Sequence, residues 1–323
     1  MKMTLCAGLF CLLAAAGRGA PADTPLERLR ERLEDRRSAR ADLTTNIVVN
    51  TNTRTYHVHL PPGFSPTNPL PLVVAFHGGT GQGSGMNLLT GLSRVADREQ
   101  MIVVYPEGID RHWNDGRDTL KGMGDDVAFV KAMLDRMETE YHVDRKRVYA
   151  TGISNGGFFT QRLACELPDR FAAIAAVAAT LPEGYDCHPA HPISVMMIHG
   201  TDDPFVPFNG GALAGHGDGM TGYGGRALSV SNAASFWIKH NQCTPMMEMD
   251  LPDADPKDGA TVNKSIYGGG KDGAEVVVSV VKGGGHTWPG GMQYAPESLI
   301  GKTCRDFNAS EAIIEFFKRH ELK

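Results

Sequence analysis

Short runs of consecutive apolar residues recur along the chain and predict the strands of a buried sheet. The runs cover 71–76, 101–105, 147–151, 171–179, 193–198 and 275–281. Continuous apolar runs of this length are typical of parallel strands that are covered on both faces. Two earlier segments, 44–50 and 54–60, are rich in β-branched residues and are joined by a polar turn, so we expect them to pair.

Segments with helical periodicity lie between these runs. Apolar residues at 127, 130, 134 and 137 lie on one helical face, a second helix is predicted after Asn155, and a third includes 312–317. The alternation of strands and helices predicts a single α/β domain over 44–323, with a doubly wound, mostly parallel sheet. Two Gly-rich stretches interrupt the alternation: we expect 208–226 to be a surface loop or flap and 253–271 to be a mobile excursion.

The first 43 residues have a different pattern. Residues 1–22 combine Lys2, an apolar stretch and the small-residue pattern Ala20-Pro21-Ala22, which predicts an export signal rather than a buried helix. Residues 23–43 are dense in Arg, Asp and Glu and predict a charged helix or a flexible arm. We therefore expect a secreted protein, extracellular or periplasmic, without a membrane anchor.

Composition narrows the class of protein. The 323 residues are 41% hydrophobic and 21% charged, which is typical of a globular protein and excludes a disordered or fibrous chain. The net charge of −5, with no Lys/Arg cluster, makes nucleic acid an unfavourable partner.

Four cysteines remain after the predicted signal is removed. An even count in an exported protein predicts two disulfides in one of three pairings, the alternative being buried free thiols. No C-x-x-C pattern occurs, so zinc and thioredoxin-type chemistry are not supported. The four are Cys165, Cys187, Cys243 and Cys304.

The segment Gly152-Ile153-Ser154-Asn155-Gly156 matches G-x-S-x-G between a predicted strand and a predicted helix. A nucleophile elbow needs this arrangement, because the serine lies on a strained turn where only glycine lets strand and helix approach. The alternative is an ordinary Gly-rich turn. We predict Ser154 as the nucleophile.

A serine nucleophile needs a base and an acid, expected in that fold on loops after later strands. Asp202 and Asp203 follow the run at 193–198, and His286 follows the run at 275–281. We favour Asp203 over Asp202 as the acid, since the residues after Asp203 should fix its loop. His286 is the predicted base, and His199 is expected to be structural.

The reaction also needs two backbone N–H groups for the oxyanion. Asn155, which follows the nucleophile, should provide one. Gly79 in the His77–Gly81 loop is the first choice for the second, with Thr80 as the alternative, and a plain glycine turn as the non-catalytic reading. No His/Asp/Glu trio has metal-ligand spacing, so no metal site is predicted.

Together, HGGTG, GISNGG, HGTDDPFVP and GGGHTWPGG resemble the secreted polyhydroxybutyrate-depolymerase-like esterases, which are close to feruloyl and acetyl-xylan esterases of carbohydrate esterase family one. The similarity runs from about residue 44 to the C-terminus. It implies an α/β-hydrolase fold, no cofactor and ester hydrolysis outside the cell. The family's nucleophile, acid and base fall on Ser154, Asp203 and His286, and its oxyanion donors fall near Gly79 and on Asn155.

The resulting hypothesis is a serine carboxylic ester hydrolase acting on hydroxycinnamoyl (feruloyl-type), other aryl or short-acyl esters of plant polysaccharide. Hydroxybutyrate oligomers and acetyl-xylan are the alternatives, followed by a peptidase or a non-catalytic carbohydrate-binding protein. Thr80 and Trp288 are the predicted substrate contacts. Other aromatic candidates, each equally consistent with a core or loop anchor, are Trp113, Phe205 and Tyr223.

Overall fold

A ten-stranded sheet is the central feature of the computed structural model, which describes residues 43–214 and 224–323. The predicted signal (1–22), nearly all of the predicted arm (23–43) and the middle of the 208–226 loop lie outside these residues. Within the two described ranges, no helix combines the length and the apolarity that crossing a bilayer requires.

The strands are β1 Leu43–Val49, β2 Asn52–His59, β3 Leu70–Phe76, β4 Ile102–Pro106, β5 Val143–Ile153, β6 Ala173–Val177, β7 Ser194–Gly200, β8 Gly211–Ala212, β9 Arg226–Ala227, β10 Thr244–Asp250, β11 Thr261–Gly268 and β12 Val276–Lys282. The helices are α1 Gly83–Thr90, α2 Leu92–Arg98, α3 Asp126–Tyr141, α4 Asn155–Glu166, α5 Val230–Asn241, α6 Glu297–Ile300 and α7 Ala309–Phe317. Two short 3₁₀ turns cover Asp118–Leu120 and Lys271–Gly273.

The strand order is β1-β2-β4-β3-β5-β6-β7-β12-β11-β10. The six strands from β4 to β12 pair in parallel, and the outer pairs on both sides are antiparallel. Each central strand is buried along most of its length, as the continuous apolar runs predict. The predicted pairing near 44–60 is the β1–β2 hairpin.

Helices cover both faces of this sheet, which confirms the doubly wound prediction. Phe129 of α3, Phe159 of α4 and Trp237 of α5 pack into the core on one face. Met86 of α1 and Phe317 of α7 pack into the core on the other. The carboxyl ends of the parallel strands therefore meet at one edge, where loops from several strands can share a site.

The prediction of a mobile excursion at 253–271 is wrong, because β11 occupies Thr261–Gly268 and pairs with β12 on one side and β10 on the other. The 208–226 loop also contains regular structure at its two ends, since β8 and β9 pair antiparallel. β10 and β11 gave no sequence signal because their side chains are mostly exposed or half-buried and carry no continuous apolar run.

The four cysteines in the described part of the chain form one disulfide rather than the predicted two. Cys165 at the end of α4 bonds to Cys187, while Cys243 and Cys304 are buried free thiols. Cys243 belongs to the core on the α4 face of the sheet, and Cys304 belongs to the opposite core. The sheet separates these two thiols, and a disulfide needs Cα atoms within about 7 Å.

We expect the Cys165–Cys187 bond to stabilise the fold by roughly 3 kcal/mol, because it closes a loop of 22 residues in the unfolded chain. A Cys165→Ala/Cys187→Ala variant should lose that amount in the free energy of unfolding, measured by urea titration. Dithiothreitol should lower the wild-type value to that of the variant and leave the variant unchanged. An equal effect of dithiothreitol on both proteins contradicts the prediction.

Candidate active site

Ser154 lies on the sharp turn between β5 and α4, with φ 56° and ψ −126°. A positive φ is costly for a residue with a Cβ and is typical of functional turns. The flanking glycines are required sterically: a Cβ at Gly152 would lie 2.5 Å from the Gly156 carbonyl oxygen, and one at Gly156 would lie 2.4 Å from the Phe76 carbonyl oxygen. The sequence pattern thus folds as a nucleophile elbow.

Asp203 and His286 meet at the carboxyl ends of β7 and β12. The His286 Nδ1–H donates to Asp203 Oδ2 over 2.7 Å, and both side chains are buried. Asp203 Oδ1 accepts from the backbone N–H groups of Phe205 (2.9 Å) and Val206 (2.8 Å). Because Nδ1 carries the proton, Nε2 of His286 is the basic nitrogen.

Burial raises the pKa of Asp203, but the charge of and hydrogen bond from His286 outweigh it, so the pKa of Asp203 falls below its usual value. The Asp203 carboxylate is therefore ionised at neutral pH and can accept the hydrogen bond from His286. Asp202, the alternative acid, is exposed and accepts from the Thr201 hydroxyl over 2.8 Å. The structure thus brings Asp203, and not Asp202, to His286.

His199 lies behind the acid in a fully buried position. Its Nε2–H donates to the Val206 carbonyl oxygen over 2.9 Å and lies 3.6 Å from Asp203 Oδ2. Burial lowers the pKa of His199, which keeps the ring neutral. The side chain supports the Asp203 loop without adding a charge.

The loop after β3 passes directly over Ser154. A Cβ at Gly78 would lie 3.3 Å from the Ser154 Cβ, and one at Gly79 would lie 3.2 Å from the His112 ring. The Thr80 N–H already donates to the Arg111 carbonyl oxygen over 3.0 Å. This favours Gly79 over Thr80 as the second oxyanion donor.

Asn155, the first residue of α4, is held by its side chain. Its Oδ1 accepts from the Trp113 N–H (2.8 Å), and its Nδ2 donates to the Trp113 carbonyl oxygen (2.9 Å) and to Asp115 Oδ2 (2.7 Å). Asp115 is completely buried and forms a salt bridge with Arg117, which also donates to the Gly224 carbonyl oxygen over 2.7 Å. This network fixes the position of the Asn155 backbone N–H.

His77, for which the sequence predicts no role, fixes the loop that carries Gly78 and Gly79. Its Nδ1–H donates to the Gly78 carbonyl oxygen (2.7 Å), its Nε2 accepts from the Gly108 N–H (3.0 Å), and its carbonyl oxygen accepts from Trp113 Nε1 (3.0 Å). Burial lowers the pKa of His77, in agreement with a neutral ring that both donates and accepts.

Glu107, at the end of β4, caps the N-terminus of α1. Its carboxylate accepts from the N–H groups of Gly83 (2.8 Å) and Ser84 (3.1 Å) and from His57 Nε2 (2.9 Å). Burial raises the pKa of Glu107, but these hydrogen bonds outweigh the effect of burial and lower the pKa to about 2. The cap matters for the site because α1 forms one side of the cleft described below.

Glu107→Gln should lower the free energy of unfolding by roughly 2 kcal/mol at neutral pH, because it removes a charged acceptor. Because folding lowers the pKa of Glu107, the extra stability of the wild type over the variant is fully present above pH 4.5, the ordinary pKa of glutamate. This difference in the free energy of unfolding declines as the pH falls towards 2. Thermal midpoints of both proteins between pH 7 and pH 2 measure this. Exposed Glu248→Gln is the control, and a difference that stays constant with pH contradicts the prediction.

A cleft of about 320 Å³ opens beside Ser154 and His286. Its polar side is the loop from His77 to Gln82, which includes Thr80. Its other side, which we call the apolar wall, is formed by Met86, Leu89, Ile153, Met292 and Tyr294. A mainly apolar cleft with a few polar groups beside a nucleophile is a typical substrate site.

Most aromatic residues considered as substrate contacts lie elsewhere. Trp288 is fully buried in the core and donates from Nε1 to Ser310 Oγ of α7 over 3.1 Å, so the prediction that it contacts substrate is wrong in this structure. Trp113 is buried against Phe159. Phe205 packs edge-on against the His286 ring, with centroids 5.1 Å apart, and Tyr223 lies outside the described residues.

One group in the described ranges brings three side chains with metal-ligand atoms together, namely Asp258, Cys304 and Asp306. The carboxylates accept from the N–H groups of Ala260 (2.7 Å) and Ala254 (2.8 Å). Burial raises the pKa of the Cys304 thiol to about 12, so it is protonated. These carboxylates hold the backbone of the neighbouring loop in place, and the group does not line the cleft.

Comparison with known proteins agrees with this geometry. A family model described as "Esterase PHB depolymerase" matches residues 54–209. "Putative esterase NocK" of Nocardia uniformis is 33% identical over 289 residues, which cover 85% of this chain and 83% of that protein. "Feruloyl esterase C" of Emericella nidulans is 27% identical over 261 residues, which cover 76% of this chain and 86% of that protein.

Comparison with solved structures also finds an esterase. The acetyl xylan esterase from Aspergillus awamori superposes with a TM-score of 0.54 over 76% of this chain and 94% of that structure, at 15% identity. This similarity confirms the predicted α/β-hydrolase fold. With the level of identity to NocK and the family match, the chain belongs to the PHB-depolymerase-like and feruloyl esterase family and is a serine carboxylic ester hydrolase.

Proposed function

We propose that Ser154, His286 and Asp203 are the nucleophile, base and acid of ester hydrolysis, with the N–H groups of Gly79 and Asn155 as oxyanion donors. The observation that carries the proposal is the 2.7 Å hydrogen bond between His286 Nδ1 and Asp203 Oδ2, with His286 and Ser154 lining one cleft. This combination of roles defines a serine hydrolase triad irrespective of fold.

In the first half-reaction, Ser154 Oγ bonds to the ester carbonyl carbon while its proton passes to His286 Nε2. The carbonyl oxygen takes the electron pair and its charge is met by the two N–H groups, each worth two to three orders of magnitude in kcat in such sites. The tetrahedral species then re-forms the carbonyl and breaks the bond to the alcohol oxygen, which receives the proton from His286.

In the second half-reaction, water replaces the alcohol. His286 Nε2 takes a proton from the water as its oxygen bonds to the acyl carbon, and the same oxyanion position is used again. Collapse breaks the bond to Ser154 Oγ, returns the proton to that oxygen and releases the carboxylic acid. Asp203 keeps its charge throughout and stabilises the imidazolium.

We further propose that the acyl group is aryl, of the hydroxycinnamoyl type. The apolar wall supports this, because it offers no charged side chain to the acyl group. The cleft volume of about 320 Å³ corresponds to about ten water molecules, which is far more than a two-carbon acyl group needs. The similarity to a protein named feruloyl esterase points in the same direction.

A substrate panel tests this preference. Methyl ferulate, acetylated xylan and hydroxybutyrate trimer should all be assayed with the same enzyme, and we expect kcat/KM to be highest for methyl ferulate. The matching feruloyl amide should not be turned over, which separates an esterase from a peptidase. A higher kcat/KM for either of the other two esters contradicts the aryl preference and leaves the esterase activity standing.

We also propose that the protein is exported. The charged start, apolar stretch and small-residue pattern of residues 1–22 support this, and so does the Cys165–Cys187 disulfide, since such bonds form in oxidising compartments. Fractionation of the producing cells, followed by N-terminal sequencing, should give a mature start at Asp23.

A further inference from the structure

Tyr294 contacts the catalytic machinery through two different parts of its side chain. Its hydroxyl donates to the backbone carbonyl oxygen of His286 over 2.9 Å. Its ring belongs to the apolar wall, and the residue is 42% exposed. Burial of the hydroxyl and the nearby charge of Asp203 raise the pKa of Tyr294, so the hydroxyl remains a donor at every pH at which an esterase works.

The short segment that carries Tyr294 is firmly anchored. The Met292 N–H donates to the Leu89 carbonyl oxygen of α1 over 3.0 Å. The Gln293 side chain donates to the Gly301 carbonyl oxygen (3.0 Å) and accepts from the Thr303 N–H (2.9 Å). The segment therefore holds the Tyr294 ring in place.

The His286 backbone is held on both sides. Its N–H donates to the Ile300 carbonyl oxygen over 2.6 Å, and its carbonyl oxygen accepts from Tyr294. The side chain adds the bond from Nδ1 to Asp203. Three anchors leave the imidazole little freedom, and misplacement of a catalytic group by about 1 Å can cost two orders of magnitude in rate.

The ring has a second consequence. Together with Met292 and Leu89 it lines the cleft, so that one aromatic ring stands beside a thioether and an aliphatic side chain. Aromatic rings pack favourably in offset or edge-to-face pairs, and thioethers contact rings favourably. A planar aryl acyl group bound in the cleft would gain such contacts, whereas an acetyl group has no ring with which to make them.

We propose that Tyr294 is both a positioning residue and a specificity residue of this esterase: its hydroxyl fixes His286, and its ring selects aryl acyl groups. The proposal rests on the proposed roles of Ser154 and His286. It assigns the two effects to different atoms, so that they can be removed one at a time.

Two esters with the same leaving group separate the effects, 4-nitrophenyl acetate and 4-nitrophenyl ferulate. Tyr294→Phe removes only the hydroxyl, and we expect kcat to fall about fivefold on both esters with KM nearly unchanged, which is the size of one hydrogen bond. Tyr294→Leu also removes the ring, and kcat/KM for the ferulate ester should fall about tenfold more than for the acetate ester.

One further variant serves as a control. Tyr185→Phe removes a tyrosine hydroxyl that donates to Glu166, outside the cleft, and should leave both esters at wild-type rates. Thermal midpoints verify that each variant is folded.

Unchanged kcat in Tyr294→Phe refutes the positioning role, and an equal loss on both esters in Tyr294→Leu refutes the specificity role. Ser154→Ala, assayed beside them, distinguishes this proposal from the one on which it rests. Activity that survives in Ser154→Ala refutes the triad itself. Loss of activity there, with wild-type behaviour in the Tyr294 variants, refutes only the role of Tyr294.

Discussion

Ser154→Ala should lower kcat for 4-nitrophenyl esters by about three or more orders of magnitude. The substitution removes the oxygen that forms the acyl-enzyme, while the oxyanion donors and the cleft remain, so KM should change little. Alanine has the same Cβ as serine at this positive φ, so the elbow keeps its backbone conformation. Steady-state kinetics on the purified variant give the result.

A covalent probe tests the role of Ser154 without relying on turnover. Phenylmethylsulfonyl fluoride should add one adduct to the wild type, located by mass spectrometry on the peptide that contains Ser154, and none to the variant. Ser65→Ala, in a surface turn outside the cleft, is the matched control and should retain both activity and labelling. A Ser154→Ala enzyme that keeps a tenth of wild-type kcat rules Ser154 out as the nucleophile.

The central part of the fold could be predicted because burial determines the sequence there. Strands such as β3 and β7 lie between two layers of helices, so both alternating sets of side chains must be apolar. The edge strand β10 has no such constraint. Its seven residues are all exposed and its methionines carry no periodicity, so the sequence pattern does not predict a strand there.

The position of the candidate site could be predicted because it depends on the topology. Parallel strands present their following loops at one edge, so a serine after β5, an acid after β7 and a histidine after β12 must come near one another. What could not be predicted depends on packing between distant segments. Trp288 lies two residues after His286, yet its indole donates to Ser310 in the core, and the position of α7 determines that contact.

Long-range packing also explains the residues that the sequence did not reveal. Tyr294 and Met292 lie in an irregular segment with no periodicity, and their place in the cleft depends on anchors at Leu89 and Thr303. The disulfide is similar: four cysteines allow three pairings, and only the assignment of Cys243 and Cys304 to opposite cores excludes a second bond.

Asp203→Asn should lower kcat by about three to four orders of magnitude, in line with the loss known for the equivalent change in a serine protease triad. The physical reason lies in the other oxygen of the side chain. Two backbone N–H groups, from Phe205 and Val206, donate to Oδ1 and will hold the amide oxygen there. The amide NH₂ must then face His286 Nδ1.

An NH₂ group cannot accept a hydrogen bond, so His286 has to place its proton on Nε2 and present a lone pair at Nδ1. In that tautomer Nε2 cannot take the proton of Ser154, and the base is lost although the geometry is almost unchanged. KM should therefore stay near the wild-type value while kcat falls, and the thermal midpoint should show that the variant is folded.

Asp202→Asn is the matched control, since it makes the same chemical change one residue earlier in the same loop. Asp202 is exposed and bonded to Thr201, so its variant should stay within about twofold of wild-type kcat. The opposite pattern, with Asp202→Asn inactive and Asp203→Asn active, would transfer the acid role to Asp202. Because His286 reaches only Asp203 here, that outcome would also require the base loop to rearrange before catalysis.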